Sequence, residues 1–177
     1  MTTELLTEKS LSVISNQAIS SLTRGLNWWQ QSDGIIGNDK ETTAILENLQ
    51  ISILQREGEI PPLIHAGMAS VTAIVFGQNW AEKCTGSTLP DEEFDLTVTE
   101  HYIKVLNDNA PLFHEITAPL YHPEKGNCIV NYERLLLPCR FLSGGNVIGS
   151  VTHLKSFSIL PDTPNHDDPS RQASLQD

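Results

Sequence analysis

The six histidines of this 177-residue chain are the residues best suited to metal binding or proton transfer. None is paired in the H-x-x-H, H-x-x-x-H or H-E-x-x-H spacing that places two ligands on one helix face. Two of them lie eight residues apart on a predicted strand, which separates them by about 26 Å, too far to share one ion. We therefore expect no metal site. The histidines are His65, His101, His114, His122, His153 and His166.

The other reactive residues also point away from catalysis. Cys84, Cys128 and Cys139 are odd in number and lack a C-x-x-C pair, so we expect reduced, buried thiols rather than disulfides or a zinc knuckle. The carboxylates within residues 91–95 could act as general acid and base, but such a cluster is typical of a solvated helix start. No nucleophile elbow or phosphate-binding glycine loop follows a strand. We expect no catalytic residues.

The amino-acid composition limits the classes of partner that this chain could bind. Eleven Lys and Arg stand against 22 Asp and Glu, a net charge of −11, which leaves no surplus positive charge for nucleic acid or anionic membrane. No apolar run approaches the roughly 18 to 20 residues that cross a bilayer. The first fifteen residues also lack the apolar core of a secretory signal. A cytoplasmic location is the expectation.

Residues 4–29 predict one amphipathic helix, within an N-terminal segment of residues 1–32. Its apolar side chains recur at steps of three and four and would form one stripe. Such a stripe needs a cover, which is either the rest of the same domain or the same helix in a second subunit. Both alternatives stay open, and the second makes the stripe a candidate dimer interface. The stripe consists of Leu11, Ile14, Ala18, Leu22, Leu26 and Trp29.

Residues 33–160 predict one α+β domain. A short helix near residue 45 precedes two short strands separated by Pro61-Pro62, then helices at 71–80 and 95–108. Three longer strands, 113–121, 128–140 and 147–159, follow as an antiparallel meander. This order favours a sheet of about five strands with helices on one face. Residues 161–177 hold three prolines and four aspartates and predict a disordered acidic tail.

Two stretches of this domain carry a family resemblance. One is Leu63–Gly67 followed by Phe76–Trp80 and Cys84–Gly86; the other is Asn131–Pro138 followed by Gly144-Gly145 and Val147–Gly149. Over about residues 40–159 the chain resembles the PAS domain superfamily, and more closely a bacterial branch of small stand-alone PAS-like proteins. The resemblance implies a PAS-like fold and a sensory role. It also likens the N-terminal helix to extensions that pair between subunits.

The resemblance leaves the cofactor unknown. Pro138–Gly144 is similar to the N-C-R-F-L-Q motif of flavin-binding light sensors in this superfamily. Here, however, the stretch ends a strand instead of opening a helix, and Pro138 and Ser143 replace Asn and Gln. His101 lies on the helix that supplies the proximal ligand in haem-binding relatives, yet a lone helical histidine is more often solvated or hydrogen-bonded. We therefore expect neither flavin nor haem.

A curved sheet covered by short helices tends to leave a pocket. Tyr132 and His153 on the last two strands, with His101 on the long helix, are the candidate pocket residues, although a one-residue register shift would turn the strand residues outward. The leading hypothesis is a homodimeric PAS-like sensory or protein-interaction module that binds a small ligand and signals to a separate protein. The alternatives are an enzyme using the same pocket and a structural adaptor with a filled core.

Overall fold

A single sheet organises the chain in the computed structural model, which describes residues 5–15, 20–53, 60–89 and 92–161. Its strand order is β1-β5-β6-β7-β3-β4, with β2 beside β6. The strands are β1 (Leu5–Lys9), β2 (Ile35–Ile36), β3 (Leu49–Ser52), β4 (Leu63–Ala66), β5 (Leu112–His122), β6 (Gly126–Phe141) and β7 (Asn146–Ile159). The helices are α1 (Ser12–Ser15), α2 (Ser21–Ser32), α3 (Lys40–Leu46), α4 (Val71–Phe76), α5 (Gln78–Ala81) and α6 (Glu92–Asp108).

The predicted five-stranded antiparallel sheet is present as strands β3 to β7. The meander β5-β6-β7 is continuous, and β3 pairs antiparallel with β7 and β4. Helix α6 confirms the helix predicted for residues 95–108. The helix predicted for Val71–Trp80 is divided into α4 and α5, because Gly77 between them adopts a φ of +93°, a left-handed conformation that glycine tolerates best.

Strand β1 corrects the prediction of one helix over residues 4–29. Leu5–Lys9 instead pairs antiparallel with β5, whose outer edge would otherwise expose unpaired backbone groups. Alternation along β1 sends Glu8 to Lys104 of α6 on one side and Lys9 to Glu115 on the other. Among the described residues of this stretch, the longest helix is α2, which begins at Ser21.

Helices lie on both faces of the sheet, which corrects the expectation that they lie on one. The cap face, which carries Leu135, Leu137 and Cys139 of β6, is covered by α2. The cavity face, which carries Val130, Tyr132, Arg134 and Leu136, is covered by α4 and α6. The reason is that β6 is buried at every residue from 132 to 139, so both of its faces need a cover.

The apolar stripe of the N-terminal segment docks on its own domain. Leu22 and Leu26 of α2 are buried in the cap-face core. A Cβ built at Gly25 would lie 2.8 Å from Cγ2 of Val151, so α2 approaches the sheet closely. The Trp29 indole N–H donates to the Pro138 carbonyl at 2.7 Å.

This docking supports the first of the two alternatives for the stripe, burial against its own domain. Ile14 is buried with Leu22 and Leu26, and Leu11 and Trp29 are partly buried against the same core. Ala18 lies outside the described residues, as does the predicted tail beyond Pro161. The stripe is therefore covered by its own domain in the part of the chain that is described, and dimerisation itself stays a prediction.

In the described part of the chain, none of the helices combines the length and the apolar character needed to span a membrane.

Because α2 docks on the sheet through Leu22, truncating this side chain should lower the stability of the protein. Because this side chain is fully buried, Leu22→Ala should lower the free energy of unfolding by about 2–5 kcal/mol, measured by chemical denaturation. Gln30→Ala on the exposed side of α2 should change it by less than about 0.5 kcal/mol. A variant with unchanged stability and a halved mass in light scattering would instead make Leu22 an interface residue.

Candidate functional site

A small cavity lies between the cavity face of the sheet and helices α4 and α6. Its volume of about 40 Å³ is room for about three water molecules. The polar residues around it are Gln50, Thr72, Tyr102, Tyr132, Arg134, Ser150 and Thr152. The apolar residues around it are Val71, Val75, Phe76, Leu89, Leu120 and Val130.

Strand register places the polar side of the cavity. Gln50 of β3 pairs with Ser150 of β7, and Arg134 of β6 pairs with Thr152, so these side chains share one face. Helix α4 begins directly over Thr152, whose hydroxyl oxygen accepts the Val71 backbone N–H at 2.8 Å. The first turn of α4 is thereby fixed to the sheet at the cavity.

Arg134 carries the charge of the site. It is only 2% exposed, and its Nη2 lies 3.4 Å from Nδ1 of His114. Its guanidinium also lies 5.8 Å from the ring centroid of Tyr102. Its guanidinium also hydrogen-bonds to the Tyr102 phenol, whereas its Nε has no hydrogen-bond partner among the described residues. A buried cation is energetically costly unless it is paired and hydrogen-bonded.

His114 beside Arg134 is held neutral. Burial lowers its pKa to about 3, and the positive charge of Arg134 contributes to the shift, followed by His101 and Lys104. Since an arginine can only donate, Nδ1 of His114 accepts and its proton resides on Nε2. The ring of His101 packs edge-on against it at 4.7 Å.

Tyr102 and Asp95 complete the α6 side. Burial raises the pKa of the Tyr102 phenol, while Arg134 lowers it and Asp95 raises it, so the phenol keeps its proton at neutral pH. The carboxylate of Asp95 accepts the backbone N–H of Leu89 at 2.7 Å. That bond holds Leu89 of the loop before α6 against the cavity.

The three predicted pocket residues have different positions. Tyr132 lines the cavity. His101 contacts His114 beside it. His153 is exposed on the opposite face, because its neighbour Thr152 points into the cavity and adjacent strand residues alternate; this corrects its assignment to the pocket.

Sequence reasoning missed Arg134, His114 and Tyr102. A signal was available for Arg134, which is the charged residue next to the apolar run Leu135-Leu136-Leu137 and lies two residues from Tyr132. A charge inside a strand that is otherwise apolar needs a partner or a function.

The prediction of buried, reduced thiols is confirmed for all three cysteines. Burial raises the pKa of Cys139 to about 12, which leaves its thiol protonated and unreactive. It belongs to the core of the cap face, on the side of the sheet away from the cavity.

Comparisons with known proteins add little to this geometry. No protein-family model matches the chain, and no curated protein matches it. Among solved structures, the chain is similar to one described as an RNA-binding Light-Oxygen-Voltage receptor, with 11% sequence identity and a TM-score of 0.40. The alignment covers 87% of this chain and 39% of that one. The architecture is therefore defined by the strand pairing of this chain itself.

The neutral state of His114 predicts acid sensitivity. Its folded pKa of about 3 lies below the ordinary 6.5, so below pH 6.5 the unfolded chain binds a proton that the folded chain does not. Stability should therefore fall as pH decreases from 6.5 towards 3, by up to about 1.4 kcal/mol per pH unit from this group. His114→Gln, which keeps an acceptor for Arg134, should flatten this slope in urea unfolding at pH 6, 5 and 4.

The control is His153→Gln, which changes an exposed histidine on the other face and should keep the slope of the unchanged protein. Equal slopes in all three proteins would show that His114 does not remain neutral in the folded state.

Proposed function

We propose that this chain is a PAS-like sensory or signalling module that binds a small ligand in the cavity between its sheet and helices α4 and α6. The observation that carries the proposal is the buried, polar group around Arg134, placed where helices meet the sheet. Buried polar groups without full hydrogen bonding are costly. A bound ligand is one way in which a protein satisfies such groups.

A ligand there would act on the helices. Helix α4 is attached to the sheet through the Val71 to Thr152 bond, and the loop before α6 through the Leu89 to Asp95 bond. Both bonds adjoin the cavity, so filling it would favour one packing of these helices over another. A protein partner that contacts the helices would then bind one packing of these helices more tightly than the other. The net charge of −11 favours a protein over a nucleic acid as this partner.

A structural adaptor with a filled core is the second candidate. It is favoured by the cavity volume of about 40 Å³, well below the roughly 300–1,000 Å³ of drug-sized ligand pockets. A cavity of this size accepts a ligand of a few heavy atoms or ordered water. Ligand occupancy therefore separates the two candidates.

We expect no catalysis. The histidine nearest to the cavity charge, His114, has a pKa of about 3, and a group with that pKa is a weak general base at neutral pH. A homodimer and a cytoplasmic location remain predictions.

The sensor proposal predicts that filling the cavity abolishes ligand binding. Ser150 lies in the cavity wall on β7 and is 4% exposed, so Ser150→Val would place two methyl groups there. Native mass spectrometry of the purified protein, compared with its denatured mass, should show a bound species that Ser150→Val loses. Ser158→Val, at an exposed position of the same strand, should retain it. A clean apo mass for the unchanged protein, with no small molecule raising its Tm, would favour the adaptor.

A further inference from the structure

We propose that the ligand is a small neutral molecule with one hydroxyl group and a short alkyl chain, an aliphatic alcohol such as ethanol or propanol. This inference rests on the proposed function and names its ligand class. It comes from the uncharged hydrogen-bonding groups at one end of the cavity, the apolar side chains at the other end, and the volume between them.

The cavity has a polar end and an apolar end along strand β6. Arg134 pairs with Thr152 at the polar end, and Val130 lies four residues away along β6 at the apolar end. A ligand that fills both ends therefore needs one polar group and an apolar remainder. The polar end is lined by Gln50, Ser150 and Thr152, and the apolar end by Val75, Leu120 and Val130.

The uncharged side chains of the polar end can both donate and accept hydrogen bonds. The Gln50 Oε1 accepts the Thr72 hydroxyl at 2.9 Å, and the NH₂ group of Gln50 is a donor. The Thr152 oxygen accepts the Val71 N–H, and the Ser150 hydroxyl can take either role. A ligand hydroxyl matches these groups because it donates one proton and also accepts, whereas a carbonyl oxygen only accepts.

The charges around the cavity favour a neutral ligand. The guanidinium of Arg134 already hydrogen-bonds to His114 and Tyr102, so an anion would compete with these acceptors and also lose its hydration. A cation would lie beside that guanidinium, and no carboxylate stands among the described residues that line the cavity. A neutral molecule avoids both costs.

The volume of the cavity limits the length of the alkyl chain. About 40 Å³ is room for about three water molecules, which corresponds to a ligand of a few heavy atoms. Ethanol and propanol lie in this range, whereas a branched alcohol such as tert-butanol is too wide.

The test is a titration of the full chain with ethanol and propanol, followed by NMR of the backbone amides. The amide signals of Ser150, Thr152 and Val71 should shift and saturate, because these residues adjoin the bound hydroxyl. The controls are tert-butanol for size, sodium acetate for negative charge and propylammonium chloride for positive charge. None of the controls should give a saturating shift of these signals.

Substitution of Ser150 locates the hydroxyl of the ligand. Ser150→Ala removes a hydrogen-bonding group and should weaken propanol binding by about two- to tenfold. Ser158→Ala is the matched control, because Ser158 is exposed on the same strand, and it should bind propanol normally. Val75→Ala widens the apolar end and should allow tert-butanol to bind.

Several results would overturn the inference. Acetate or propylammonium binding as tightly as propanol would exclude selection of a neutral ligand, and unchanged propanol affinity in Ser150→Ala would exclude the hydrogen bond to Ser150. If Ser150→Ala fails to fold, the comparison of propanol with tert-butanol in the unchanged protein and in Val75→Ala decides the question. A bound species of another class in native mass spectra would overturn the alcohol and leave the sensor proposal standing. Shifts that do not saturate with any alcohol, together with a clean apo mass, would overturn both.

Discussion

The burial of strand β6 on both faces is the constraint on which the rest of the structure depends. Every residue from Tyr132 to Cys139 is buried, which is unusual for an antiparallel sheet, since one face of such a sheet commonly meets water. Two covering layers follow from it. Helix α2 covers the cap face with Leu22 and Leu26, and helices α4 and α6 cover the cavity face. Helix α2 is therefore part of the core and not an appendage.

Strand β6 also carries a charged residue, Arg134, which the packing of the core does not require. Arg134 interrupts a largely apolar stretch of the cavity face and is buried, and its Nε has no hydrogen-bond partner among the described residues. A buried guanidinium adds less to stability than an apolar residue of similar size would. Its neighbours Tyr102 and His114 are both uncharged, and both accept a hydrogen bond from the guanidinium. This combination places a buried positive charge among uncharged polar neighbours at the cavity.

Charged side chains attach the first strand to the sheet. Lys9 of β1 and Lys155 of β7 both contact Glu115 and Glu133 on the cap face, beyond the end of the sheet that α2 covers. Exposed ion pairs contribute little individually, but Glu133 is 5% exposed, so this network is partly shielded from water. The pairing places β1 against β5 and protects an edge that would otherwise be open.

Local patterns in the sequence determined the meander, the long helix α6 and the amphipathic character of α2. The alternation of strands, the steps of three and four in helices, and breaks at glycine and proline are all properties of neighbours in the chain. The expectation that a curved sheet covered by short helices leaves a pocket predicted the cavity, and strand alternation placed Tyr132 among its lining residues.

Only the tertiary structure determined which strands pair and which side of each strand faces the cavity. Leu5–Lys9 is a strand because β5 offers it hydrogen bonds from more than a hundred residues away, and no local pattern encodes that partner. His153 faces solvent and Thr152 faces the cavity because the register of β6 with β7 fixes the alternation, and a shift of one residue would exchange them. Arg134, His114 and Tyr102 form a site since three separate elements bring them together, and their shared burial, not their spacing along the chain, sets their chemistry.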